Sequence, residues 1–125
     1  MYTLHLLQCE SYWLALSTKV MINVFANVMI KKENIEQAPD CYRDFVPLVI
    51  AESGCLEYVP CKGINTDLTN QVQDDSRIFV AECWKSLKDF RKHLEMPHSV
   101  AFRARIKPLL TEKITVTIVQ PVSLS

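Results

Sequence analysis

Apolar and polar positions alternate most clearly in "INVFANVMI" (residues 22–30). Ile22, Val24, Ala26, Val28 and Ile30 fall on one side, and Asn23, Phe25, Asn27 and Met29 on the other. A period of two marks a strand with one face committed to a core and a mixed opposite face. The period then changes. In "NIEQAPDCYRDFVPLVIAESG", Tyr42, Phe45, Val46 and Val49 recur at helical spacing. A helix is expected from about Pro39 to Ser53, opened by a proline in its first turn and stopped by Gly54. Pro47 inside that run has no N–H to donate, so it should kink the helix or break off its first half. "GCLEYVP" (54–60) reads as a short strand, "CKGINTDLTNQVQDDS" (61–76) as a long polar loop, and "RIFVAECW" (77–84) as a third strand. Ser86, with Asp89 three residues on, makes a capping-box-like start to "SLKDFRKHLE", whose charges lie away from Leu87, Phe90 and Leu94. Pro97 cannot continue that helix and suits the first turn of the next, "PHSVAFRARIKPLL"; "KITVTIVQP" (113–121) closes the chain as a strand.

The order β-α-β-β-α(α)-β predicts an α+β fold: the ferredoxin-like split βαβ, an antiparallel four-stranded sheet with its helices on one face. The other face, with Phe25 and Met29 beside Asn23 and Asn27, asks for a second sheet against it. A homodimer is the natural source.

Composition narrows the choice of partner. The 125 residues suit a single domain, and 14 basic residues balance 14 acidic ones. Zero formal net charge offers no field for phosphates, so no nucleic acid is expected. Two glycines exclude a Gly-rich phosphate loop, and no apolar run is long enough to span a bilayer, so no membrane partner is expected. Five cysteines, an odd number without a CxxC pair, read as reduced thiols of a cytoplasmic protein. Residues 1–20 are apolar, but they lack a basic start and a small-residue cleavage site and carry Glu10. They read as an N-terminal extension rather than a signal peptide, packing on the domain (21–125) or on a neighbouring subunit.

Two stretches carry a resemblance. "ESGCLEY" (52–58) and "FVAECWKSLKDFRKHLEMPHSVAF" (79–102) resemble the antibiotic biosynthesis monooxygenase family. Its pattern runs acidic-x-Gly-Cys-x-x-Tyr, then Glu-x-Trp-x-Ser, an apolar residue, a His, and Pro-His before the last helix. Glu52, Gly54, Cys55, Tyr58, Glu82, Trp84, Ser86, Phe90, His93, Pro97, His98 and Phe102 fill it. The resemblance spans about residues 21 to 121 and extends to the bacterial quinol monooxygenases, which share the long loop and the final "QP". It implies a dimeric α+β barrel with a pocket between helices and sheet. It also implies oxidation of a small quinol or phenolic aromatic by molecular oxygen, with neither metal nor flavin as cofactor. The haem-degrading branch of the fold places an Asn, a Trp and a His where this chain has Ala26, His93, and Phe102 or Arg103, so haem chemistry is not implied.

The candidate site residues follow from that pocket. His93 and His98 are five apart with Pro97 between them, whereas a two-His metal pair on a helix wants a spacing of four; no metal is expected. His93, on the helix that would roof the pocket, is the candidate general base, against the alternative of a partly buried structural histidine. His98, in a first helical turn, would contact substrate or hold structure. Trp84 and Phe102 would be pocket wall or core. Glu82 would lie near the pocket or pair with Arg103 or Arg105. Tyr58 would orient a substrate oxygen or point its hydroxyl to the surface. Cys55 reads as a packing residue, and loop 61–76 as a lid. Two rival functions remain. An isomerase of a small phosphorylated metabolite would need Lys62, Arg77 and Arg103 to converge, and a non-catalytic ligand-binding dimer would leave His93 turned away.

Overall fold

Burial follows the alternation in β1 (Ile22–Met29): Ile22, Val24, Ala26 and Val28 are buried while Phe25 is exposed. The computed structural model describes residues 21–124, so the packing expected of the 1–20 extension lies outside the described residues. β1 is central in a four-stranded antiparallel sheet with β2 (Cys55–Lys62), β3 (Arg77–Trp84) and β4 (Thr115–Val119), in the order β2-β3-β1-β4. That is the split βαβ topology. The register pairs Val24 with Glu82 and Tyr58 with Glu82, so a carboxyl and a phenol are neighbours on the helix-covered face. The long loop begins at Gly63 rather than at Cys61, because Cys61 and Lys62 extend β2 opposite Phe79 and Ile78.

The first helical segment is broken in two. α1 (Ala38–Arg43) and α2 (Phe45–Ile50) meet at Asp44. Pro47 supplies no N–H to the Arg43 carbonyl, and the helix ends there. Tyr42, Phe45 and Val49 nonetheless keep one buried stripe across the break. α3 (Leu87–Glu95) starts at Ser86, whose hydroxyl accepts the Asp89 N–H at 3.1 Å and donates to Asp89 Oδ2 at 2.9 Å. Met96, extended as a residue before proline favours, separates α3 from α4 (Pro97–Ile106). The expected stripe on α3 is corrected in part: Phe90 and His93 are its buried residues, whereas Leu87 and Leu94 lie at its exposed edges.

The core lies between the helices and the inner sheet face, with Trp84, Val24, Val49 and Ile106 fully enclosed. The outer face is not covered: Phe25, Val59 and Phe79 are 47%, 42% and 38% exposed. Among the described residues no helix is long and apolar enough to cross a membrane, and Cys41, Cys55, Cys61 and Cys83 are free thiols.

Candidate active site

The two histidines meet on one carboxylate. On a continuous helix a five-residue step would turn them roughly 140° apart. The break at Pro97 instead folds the first turn of α4 back towards the last turn of α3. His93 Nδ1 then lies 2.8 Å, and His98 Nε2 2.9 Å, from the same Oε2 of Glu52, in the turn after α2. A carboxylate oxygen only accepts, so both ring nitrogens donate. That assigns the Nδ1–H tautomer to His93 and leaves its Nε2 with a lone pair, as the orienting carboxylate of a catalytic triad does. Ser99 Oγ lies 3.4 Å from the same Nδ1. Burial holds His93 below the ordinary histidine range, although Glu52 pulls the other way. The ring is therefore neutral, and a proton acceptor, at neutral pH.

The spacing argument against a metal pair is corrected to this extent. The donor atoms of Glu52, His93 and His98 lie within 4.8 Å of one another, a set that suits a divalent transition ion. Holding one would require both imidazoles to exchange a donating N–H for a lone pair.

His93 also lines an aromatic cavity of about 70 Å3 between the helices and the sheet. Phe45 and Phe102 form one wall as a parallel stack, with centroids 4.1 Å apart, and Tyr58 meets Phe45 edge-on. Tyr42, Tyr58, Glu82 and Phe102 line the same space. Trp84 and His98 do not. Trp84 donates to Glu82 and packs on the His93 ring with centroids 4.6 Å apart, and His98 borders the site through Glu52 and through the ring of Phe45, 5.9 Å away. The rim is formed by Leu94, Arg103 and Val116, all exposed. An apolar cavity that admits benzene measures roughly 150 Å3, so an aromatic ring would fit here only with rim side chains displaced. No residue of 63–76 lines the cavity. The lid expected of this loop is not seen over the cavity; at its C-terminal end Asp74 accepts from Ser76 and pairs with Arg77 at 2.9 Å.

Glu82 is 5% exposed, and its partner is neither arginine expected for it. Trp84 Nε1 donates to its Oε1 at 3.0 Å, while Arg103 bonds the Leu94 carbonyl and Arg105 faces Asp44. Both arginines lie on α4 with their charges drawn to solvent, where they stay hydrated. Burial pushes the Glu82 carboxyl up to about 7, opposed by the indole hydrogen bond and assisted by Glu52. The sign of the linkage is then fixed. As pH rises from 4.5 towards 7 the unfolded carboxyl ionises before the folded one, so stability drains away across that window and stays low above it. Glu82→Gln, which keeps an acceptor for Trp84, should therefore melt several degrees higher than wild type at pH 8, with the gain shrinking towards zero at pH 4. The size follows from proton affinity, since a tenfold difference between the folded and unfolded carboxyl is worth roughly 1.4 kcal/mol. Thermal melts at the two pH values check this; equal differences at both would mean Glu82 is not buried as a carboxylic acid.

Burial pushes the Cys55 thiol up to about 11, in keeping with a packing role rather than a nucleophile. Lys62 and Arg77 border a separate depression beside Ile30 and Pro39, away from Arg103. The cationic cluster that a phosphorylated substrate would require is therefore not assembled among the described residues. Glu52, Tyr42, Phe45 and Ser99 are site residues that sequence reasoning missed as such. Glu52 was visible as the acidic position of the 52–58 pattern, and Tyr42 only as one member of an apolar stripe.

A ferredoxin-like sheet roofed by helices, enclosing an imidazole and a protonatable carboxyl beside an aromatic cavity, defines a small α+β domain. The profile of the antibiotic biosynthesis monooxygenase family matches residues 21–105, and the chain belongs to that family. It is 26% identical over 103 residues to the probable quinol monooxygenase YgiN of Escherichia coli (strain K12), a match covering 81% of this chain and 98% of that protein. Among solved structures, Rv0793 from Mycobacterium tuberculosis superposes with a TM-score of 0.69 at 21% identity, over 82% of this chain and 96% of that one. A conserved protein from Methanosarcina mazei Go1 does so at 0.71 and 16%, over 86% and 96%. At those identities the structures establish the fold.

Proposed function

We propose that this protein is a cofactor-independent monooxygenase that oxidises a small quinol or phenolic aromatic with molecular oxygen, and that His93 is its general base. The observation that carries this reading is the 2.8 Å bond from His93 Nδ1 to Glu52, on a ring that also lines the aromatic cavity. Nε2 accepts the phenolic proton. The resulting phenolate is electron-rich enough to reduce oxygen without a metal or flavin. For a quinol the sum is quinol plus O2 giving hydroxyquinone plus water: one oxygen atom enters the ring, the other leaves as water, and all four electrons come from the substrate. The protein supplies proton transfer, ring orientation between Phe45/Phe102 and Tyr58, and exclusion of bulk water. The apolar outer sheet face, with Phe25, Val59 and Phe79 exposed, supports a homodimer in which two sheets pack together.

The test is oxygen consumption by chelator-treated protein across a panel of quinols and phenols. Uptake above the autoxidation blank is the expected result. Uptake that appears only after a divalent ion is added would assign Glu52, His93 and His98 to a metal and sink the cofactor-free reading; no uptake with any member of the panel would sink the monooxygenase reading itself.

A further inference from the structure

Among the described residues, one buried side-chain polar atom lacks a hydrogen-bond partner: the hydroxyl oxygen of Tyr42. Tyr42 is 4% exposed and lines the same cavity as His93 and Glu82. Its ring is held against Phe102, with centroids 4.8 Å apart at 54°, so the hydroxyl has little freedom to seek a partner elsewhere. A buried hydroxyl without a partner carries an uncompensated desolvation cost, and phenylalanine would fill the same wall without it. A polar atom kept at a cost, on the wall of a ligand cavity, is explained by a ligand atom that completes it.

Beside it stands Glu82. Oε1 takes the Trp84 N–H, and among the described residues no hydrogen bond reaches Oε2. The polar groups lining the cavity are those of His93, Ser99, Arg103, Tyr58, Tyr42 and Glu82, and of these the Tyr42 hydroxyl is the buried atom without a partner. We propose that Tyr42 and Glu82 bind a second oxygen on the substrate ring, so that Tyr42 is a specificity-determining residue that selects a dihydroxy-aromatic over a monophenol. The inference rests on the quinol reading above and assigns the part of that substrate which His93 does not touch. Tyr42 donates to the second oxygen while Glu82 accepts its proton or donates its own. Burial, with Cys41 and Glu82 adding, holds the Tyr42 hydroxyl well above the ordinary phenol range, so it remains a donor at every pH the protein meets.

The test is anaerobic calorimetric titration of wild type and Tyr42→Phe with two probes, hydroquinone and phenol, beside thermal melts of both proteins without ligand. Wild type is expected to prefer hydroquinone. Tyr42→Phe should lose about tenfold in hydroquinone affinity and little or none for phenol, with a melting temperature equal to or above that of wild type. A purely structural hydroxyl would give the reverse, a lower melting temperature and unchanged affinities, and would overturn the proposal. Equal losses for both probes would also overturn it, while leaving the base assignment to oxygen uptake. If neither probe binds wild type, the inference fails, while the quinol reading is decided by oxygen uptake across the panel.

Discussion

Replacing His93 by alanine is expected to lower substrate-dependent oxygen uptake by about 10²–10⁴-fold, the usual contribution of a positioned general base. The case rests on three facts that act together. Glu52 fixes the tautomer, burial keeps the ring neutral, and the ring borders the cavity. They also set the pH dependence. With His93 as the proposed base the reactive form would be the neutral imidazole, and burial lowers its titration from 6.5, so kcat/KM should hold through neutral pH and fall only as pH drops through that lowered value. The same shift has a stability consequence of the same sign: the contribution of neutral His93 is present above pH 6.5 and is lost as pH falls through the folded value. Added imidazole should restore part of the uptake in His93→Ala, because the missing group is small and its place is left vacant. A variant as active as wild type would remove His93 from the chemistry and require another proton acceptor for the same uptake.

Gly54→Ala is expected to destabilise the protein by about 3 kcal/mol, enough to remove a large part of the stability of a domain this size. A methyl group on Gly54 would overlap the Cβ and Cγ of Asp89 and lie 2.8 Å from its Oδ1. Asp89 cannot simply swing aside, because its N–H and carboxylate are both engaged with Ser86 at the start of α3. Either the methyl group is accommodated by shifting α3, or the cap is broken. Both move His93 relative to Glu52, which is two residues from Gly54. Chemical denaturation should show the loss in stability, and uptake at a temperature where the variant is folded should be reduced as well. A variant of wild-type stability would mean that the close approach of this turn to α3 is relaxed in solution.

Most of the fold could be read from local pattern. Ile22, Val24, Ala26 and Val28 share a face because strand side chains alternate, and Ser86 and Pro97 act within one helical turn of themselves. Pro47 gave the break in the first helical segment for the same reason. The misreadings came where exposure depends on distant packing. Leu87 and Leu94 have the hydropathy of a buried stripe, yet Phe90 and His93 occupy it, because the space above Glu82 and Trp84 takes flat rings. The site was legible in its membership but not in its connections. His93 and His98 were visible as candidates, but Glu52 is 41 and 46 residues away from them, and no periodicity signals that one oxygen will serve both. The choice of Trp84 over Arg103 or Arg105 as partner for Glu82 was equally hidden. It depends on which face of α4 the arginines take, and that is decided by how α4 packs. The unsatisfied hydroxyl of Tyr42 is a property of three-dimensional space alone.

The strand order β2-β3-β1-β4 also constrains how the chain can assemble. β1 is the first of these four strands to emerge during synthesis, yet neither of its neighbours is the strand that follows it: it pairs with β3 and β4, and β2 joins only through β3. The two βα halves are thus interleaved, and an isolated first half has no sheet to form. Such long-range pairing is slow, and it leaves strand edges open until late. One edge of β1 stays unpaired until Thr115–Val119 has been made, so the ribosome must deliver almost the whole described chain before the central strand can close.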